Sequence, residues 1–334
     1  MAAGNILVVK LSSLGDIFHA LPAVHALRVG LDADVDWVTQ PEYTGLVRCF
    51  KDVREVIPFP RQGLARGFAA FWRCVRRRHY DLVVDLQGLM KSLLAAKSAR
   101  GQQVLGPSYC REGTRFFYDA VSGPANRNRH AVDEAMDVVR FLGLSDAQVM
   151  FPVAFPTIPP VAGAPRVAML PASRHENKNW PLEYFAEVAR GLVHNRGASI
   201  HLFGSEADRT ICLALQHAIE AGDSCSKVVN MAGHTGMVQL GGWLASMDLV
   251  IANDSGPIHM AAAAGTRVLA IFGPTDPRRT GPYGDGHCVL TSNSPCSPCC
   301  RRICRREDEV CLRTVSPELV FSAASEMLNR MKNP

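Results

Sequence analysis

Short apolar runs recur along the chain, and each closes on a polar loop that opens into a longer stretch with apolar residues at helical spacing. Ile6 to Val9 is the first run, followed by the loop Lys10 to Asp16 and a helix carrying Leu21, Val24 and Leu27 on its apolar side. Val35 to Val38, Glu55 to Ile57 and Asp81 to Leu86 continue the series. Val167 to Leu170, Ser199 to Phe203, Val228 to Asn230, Leu249 to Ala252 and Val268 to Phe272 take it up again in the second half. Runs this short and this apolar fit strands buried on both faces, so the alternation predicts an α/β protein with largely parallel sheets. Pro152, Pro156, Pro159, Pro160 and Pro165 crowd the segment Phe151 to Pro165 and mark an interdomain linker. The expected domains are residues 1–155 and 156–316, with a closing helix in 317–334 (Pro317 to Met331) that packs on one domain or bridges both.

In such folds the loops at the carboxyl ends of the strands carry the chemistry. The stretch Asp248 to Ala264 reads as strand, tight polar turn and small-residue helix. It offers helix N–H groups to a phosphate and Asp254 to sugar hydroxyls. Ser255 can cap the helix, Gly256 lets a ligand approach the backbone, and His259 returns to the face of Ser255 one turn on. A capped core helix with an incidental histidine is the plainer reading. Ser173, Arg174 and Lys178 follow another strand and are phosphate-binding types, while Asp208 follows a third as a partner for ribose hydroxyls. In the first half Asp16 ends a loop at the positive end of a helix, placed either to take a proton from a bound hydroxyl or simply to cap the helix. Gln87 and Lys91 occupy the corresponding edge after the run DLVVDL.

Composition narrows the class. With 334 residues, 47% hydrophobic and 20% charged, the chain is an ordinary globular protein with room for two domains. Its net charge of +5 is too small to imply nucleic-acid binding. Residues 1–155 hold 19 Lys and Arg against 15 Asp and Glu, residues 156–334 hold 17 against 16, so an anionic partner is expected on the first half. No signal peptide is visible, and the uncharged run Val228 to Met247 is too rich in glycine and polar residues for a membrane span. Eleven cysteines without an export signal point to a reducing cytoplasm. From Arg61 to His79 basic residues interleave with Phe68, Phe71, Trp72 and Val75, which suits either an amphipathic segment meeting anionic headgroups or a solvated helix face. Cys296, Cys299, Cys300, Cys304 and Cys311 could hold structural zinc or an iron-sulfur cluster, or form a loop of reduced thiols.

VKLSSLGDIFHALPA at 9–23, DLQGLMKS at 85–92, NKNWPLEYFAEVA at 177–189, NDSGPIHMAAA at 253–263 and FGPTDP at 272–277 together resemble the ADP-heptose:lipopolysaccharide heptosyltransferases, the ninth glycosyltransferase family. The likeness runs along nearly the whole chain. The opening loop is similar to the first heptosyltransferase of the pathway and the second half to the second. The resemblance implies a GT-B architecture: two Rossmann-like domains facing across a central cleft, the acceptor on the first and the nucleotide sugar on the second. It implies an inverting single displacement that needs no cofactor for catalysis. Asp16 matches the family's general base and Lys178 the residue that neutralises the departing diphosphate. Asp254, Ser255, Gly256 and His259 match donor contacts, with Ser173 and Asp208 as further phosphate and ribose contacts. Ser13, Gly15, Gln87 and Lys91 are the expected acceptor contacts. The implied partners are ADP-heptose, Kdo–lipid A or a heptosylated lipid A, and the cytoplasmic face of the inner membrane; no nucleic acid is expected. A nucleotide-sugar epimerase on the same fold would leave the basic segment unexplained, and a metal-dependent nucleic-acid-binding protein would leave two nucleotide-type domains unused.

Overall fold

The computed structural model describes residues 4–60, 64–126, 128–159, 165–221, 228–306 and 310–330. Arg61, Pro160 and Met331 lie outside the described residues. The chain divides into two compact units, residues 1–154 and 155–334.

The main sheet of the first unit is built from β1 (Asn5–Val9), β2 (Asp34–Thr39), β3 (Val53–Pro58), β4 (Leu82–Asp85), β5 (Val104–Pro107) and β6 (Ala120–Ser122). All pair in parallel, in the order β3-β2-β1-β4-β5-β6. Ile6 to Val9 are fully buried because helices cover both faces of the sheet. α1 (Leu14–Leu31) is apolar nearly all round and buries Ile17, Phe18, Leu21, Val24 and Leu27, as a helix sunk between sheet and further helices must. α2 (Leu64–Val75) lies in the basic aromatic segment and sends Phe71 and Val75 into the core, with Phe68 packed beside them. Trp72 stays outside, 45% exposed, with the Arg76 guanidinium 4.5 Å from its ring. Arg78 is also committed, to Glu55 and the buried Asp36. α3 (Met90–Ser98) follows β4 across a loop in which Gly88 has φ +71°, and a Cβ there would meet the Cys110 backbone at 2.9 Å.

The second unit repeats the plan. β7 (Arg166–Leu170), β8 (Ser199–Leu202), β9 (Val228–Asn230), β10 (Leu249–Asn253), β11 (Val268–Phe272) and β12 (Cys288–Thr291) form a parallel sheet in the order β9-β8-β7-β10-β11-β12. α4 (Leu182–Arg196), α5 (Arg209–Glu220), α6 (Met237–Ala245), α7 (Gly256–Ala263) and α8 (Pro317–Asn329) cover it. The closing helix α8 joins the core of this unit, with Val320, Ala324, Met327 and Leu328 buried in the cluster that holds Phe185 and Leu192. The Pro-rich stretch is strapped at both ends. Residues 151–154 hydrogen-bond to 49–51 of the first unit, while Phe155 and Pro156 press against Gly241 and Gly242 of α6.

In both sheets the strand order reverses between the first and fourth strands, β1/β4 and β7/β10. Crevices open at the carboxyl ends of such switch points, and those ends carry the loops 10–13, 86–89, 171–181 and 254–255.

Candidate active site

Asp16 stands in the first turn of α1, half-buried, and its Oδ2 accepts both the Ser13 N–H (2.9 Å) and the Ser13 hydroxyl (2.6 Å). Asp16 therefore does cap its helix. Gly15 is buried beside it. The loop before it is held from the neighbouring strand end: Gln87 Oε1 accepts the N–H groups of Leu11 and Ser12, each at 3.2 Å. Those two donors fix the orientation of the amide, since only its oxygen can accept. Asp85, fully buried at the end of β4, accepts the N–H groups of Gln87 (2.8 Å) and Gly88 (3.1 Å) and the Tyr118 hydroxyl (2.7 Å). Burial raises the Asp85 pKa, opposed by those hydrogen bonds. Gln87 is thus tied at its backbone to Asp85 and at its side chain to the Asp16 loop. Lys91 is exposed on the first turn of α3.

The sequence reading passed over Lys10. Its ammonium is buried, donates to Leu86 O at 2.7 Å and lies 5.9 Å from the Tyr109 ring. Burial lowers its pKa, against the carboxylates of Asp16, Asp85 and Glu134, which raise it. Tyr109 donates to the same Leu86 carbonyl, and burial pushes its phenol well above the usual value. A cation beside Asp16, Asp85 and Glu134 offsets negative charge that would otherwise accumulate at this crevice.

At the second switch point the geometry is tighter. Lys178 Nζ meets Asp254 Oδ2 at 2.5 Å, and Thr275 donates to the same oxygen at 2.6 Å. Asn253, with no exposure, organises the approach: Oδ1 accepts the Trp180 N–H (2.9 Å) and Nδ2 donates to Pro171 O (2.7 Å). Trp180 is anchored in turn through Nε1 to Val315 O (2.9 Å). Both ends of the Lys178 loop are thereby fastened to the end of β10. Ser255 occupies the N-cap of α7, but its side chain makes no capping bond, and its buried Oγ has no hydrogen-bond partner. A polar oxygen in that state at a helix N-terminus is placed for a ligand. Gly256 opens α7, and His259 is buried one turn on.

Other expected contacts also make local bonds. The Ser173 hydroxyl lies 2.8 Å from both His175 O and Asn179 Oδ1, so it braces its own loop, and Arg174 is exposed. Asp208 Oδ2 accepts the Ser205 N–H (2.8 Å) and hydroxyl (2.6 Å) at the end of β8, one strand beyond the switch point. Among the described residues no three His, Cys, Asp or Glu side chains are grouped closely enough to hold a metal ion, the Cys-rich stretch included.

Duplicated doubly wound units, one presenting a carboxylate and the other a Lys–Asp pair beside a helix N-terminus, are the frame of a GT-B glycosyltransferase. Residues 68–309 match the model of glycosyltransferase family 9 (heptosyltransferase). The chain is 30% identical to lipopolysaccharide heptosyltransferase 1 of Pseudomonas aeruginosa across 97% of its length and 98% of that protein. It is 28% identical to the Escherichia coli K12 protein of the same name, covering 85% of this chain and 92% of that one. Among solved structures it superposes on E. coli heptosyltransferase WaaC with ADP at TM-score 0.78, with 25% identity over 97% of this chain and 99% of that one. A family 9 glycosyltransferase from Veillonella parvula shares the fold at TM-score 0.83. The chain belongs to glycosyltransferase family 9, the heptosyltransferases.

Proposed function

We propose that the protein transfers heptose from ADP-heptose to the Kdo–lipid A inner core of lipopolysaccharide, as a first heptosyltransferase. The observation that carries this reading is coverage. The relatives matched along 85–97% of this chain are mostly named lipopolysaccharide heptosyltransferase 1, whereas those named heptosyltransferase 2 match over 34–47%.

In this reading an acceptor hydroxyl at the first switch point loses its proton to Asp16 as its oxygen bonds to the anomeric carbon. The bond from that carbon to the ADP oxygen breaks on the opposite side and the configuration inverts. Ser13 holds the carboxylate by two bonds to one oxygen, so its aim is set before substrate arrives. Lys178 bears the charge developing on the diphosphate; its one bond to Asp254 leaves two ammonium donors for phosphate oxygens. Ser255 Oγ and the first N–H groups of α7 supply further donors, and Asp254 takes donor sugar hydroxyls.

A lipid-linked acceptor requires work at a membrane surface, and no described helix is long and apolar enough to cross one. Phe116 is 87% and Phe117 55% exposed, next to the exposed Arg115 and Arg111. We place the protein in the cytoplasm, attached peripherally to the inner membrane through this basic aromatic turn.

The test is a product assay with ADP-heptose and Kdo–lipid A, alongside calorimetric titration with ADP, UDP and GDP. The expected result is a heptosylated lipid, selective ADP binding, and an Asp16→Ala variant that keeps ADP affinity while turnover falls about 10²–10⁴-fold, the range of a general base. A preference for UDP would overturn the donor assignment. Turnover surviving in Asp16→Ala would leave Asp16 a cap alone.

A further inference from the structure

The Cys-rich stretch follows β12, and the fold sorts its thiols. Cys296, Cys299, Cys304 and Cys311 line one cavity of about 30 Å³, bounded also by Asn177 and Asn179. Cys300 is exposed and does not line it; its backbone takes the left-handed turn at φ 54°. The volume corresponds to about one water molecule, so the occupant it suits is a single small ion rather than an organic ligand. Residues 292–306 contain no helix or strand. Their tethers include Ser292 N to Phe272 O (3.0 Å), Asn293 N to Thr314 Oγ1 (3.1 Å), Ser297 Oγ to Gly273 O (2.6 Å), Cys300 N to Pro274 O (2.6 Å), and Asn177 Nδ2 to Arg301 O (2.8 Å). A stretch of that length without regular structure is uncommon inside a compact unit and is usually there for a function.

We propose that Cys296, Cys299, Cys304 and Cys311 bind one divalent transition-metal ion as a tetrathiolate site. Thiolates select soft tetrahedral ions, which makes zinc or ferrous iron the class of ligand. Binding releases the thiol protons, and the resulting negative charge falls within a stretch that also carries Arg301, Arg302, Arg305 and Arg306. The thiols stand on the cavity wall without converging to ligand separation. Binding turns them inward, a rotamer change in a loop with little regular structure to resist it. The consequence reaches Lys178, because Asn177 and Asn179 on either side of it share the cavity wall and Asn177 holds the loop.

The experiment is elemental analysis of the full-length protein purified under reducing conditions, followed by cobalt(II) titration of the metal-stripped protein. One ion per chain is expected, with thiolate-to-cobalt charge-transfer absorption and the strong visible bands of a tetrahedral site. Cys304→Ser loses stoichiometric metal; Cys300→Ser keeps it. Protein without metal that also gives no cobalt–thiolate absorption would overturn the proposal. So would equal loss in both variants, or alkylation mass mapping that finds these cysteines paired as disulfides in the reduced preparation. Should Cys304→Ser fail to fold, the cobalt spectrum of the unaltered protein decides.

Discussion

Replacing Gln87 by alanine separates positioning from contact at the first switch point. Gln87 Oε1 takes two N–H donors, Leu11 and Ser12, both at 3.2 Å and both part-buried. A fully buried donor left unpaired costs about 1–3 kcal/mol, and water recovers part of that here, so the pair together is worth about 1–2 kcal/mol of stability. The same two bonds set the path of residues 11–13, whose last member holds Asp16. A base displaced by about 1 Å costs on the order of 10²-fold, so kcat for Gln87→Ala should fall about 10–100-fold. ADP affinity should not change, since the donor contacts proposed above belong to the other unit. Steady-state kinetics with ADP-heptose and Kdo–lipid A, varying each substrate, gives the split: kcat falls, both KM values stay within about twofold, and Tm drops by several degrees. Gln87→Glu, which keeps oxygen acceptors in place, should recover part of the stability. A raised acceptor KM at unchanged kcat would refute the positioning argument and make Gln87 an acceptor contact through Nε2.

Two further outcomes are expected. The double variant Phe116→Ser, Phe117→Ser should sediment with anionic vesicles at least about tenfold less than the unaltered protein, given about 1.5–3 kcal/mol for burying a phenylalanine; equal sedimentation would remove this turn from the membrane contact. His201 is buried on β8 with Nδ1 unpartnered, and burial, then the nearby Arg166, holds its pKa below the ordinary 6.5. The unfolded chain therefore binds the proton first, so stability is full above 6.5 and is lost as pH falls from 6.5 toward the folded value. Melting at pH 7 and 5.5 should show a smaller acid loss in His201→Gln than in the unaltered protein. An unchanged loss would assign it elsewhere, with His287, shifted the same way, as the next group to test.

Legibility in the sequence followed the range of the interactions. Strand, loop and helix alternate because of local periodicity, and the strand runs were visible as apolar blocks. The approximate place of the Lys178–Asp254 pair was visible too, because each residue follows a strand end. What escaped was whatever depends on two loops meeting. Nothing local says that the Gln87 carbonyl serves residues 76 and 75 positions earlier, that Asn253 fastens Trp180 73 positions away, or that Lys10 is buried. The basic aromatic segment was ambiguous for another reason. Its apolar residues serve the core at Phe71 and Val75, while Trp72 faces out, and one helical period encodes both. Among the thiols, spacing could not tell Cys300 from its neighbours; only the turn of the chain separates it from the cavity.

Capping and catalysis were rival readings of Asp16, and the second unit contains the control. Asp208 is held by Ser205 as Asp16 is held by Ser13, through one N–H and one hydroxyl to a single carboxylate oxygen, at distances within 0.1 Å of each other. The cap alone therefore does not distinguish the two carboxylates. What differs is the surroundings. The Asp208 bonds are exposed and one strand away from the switch point, whereas the Asp16 bonds are part-buried at the switch point itself, beside the buried Lys10 and a loop fixed by Gln87. A carboxylate already oriented by its cap loses little entropy in reaching for a proton, and a crevice that brings an acceptor hydroxyl to it supplies the rest. In the proposed function the cap at Asp16 is part of how the base is aimed; Asp208 carries the same cap one strand away from the switch point.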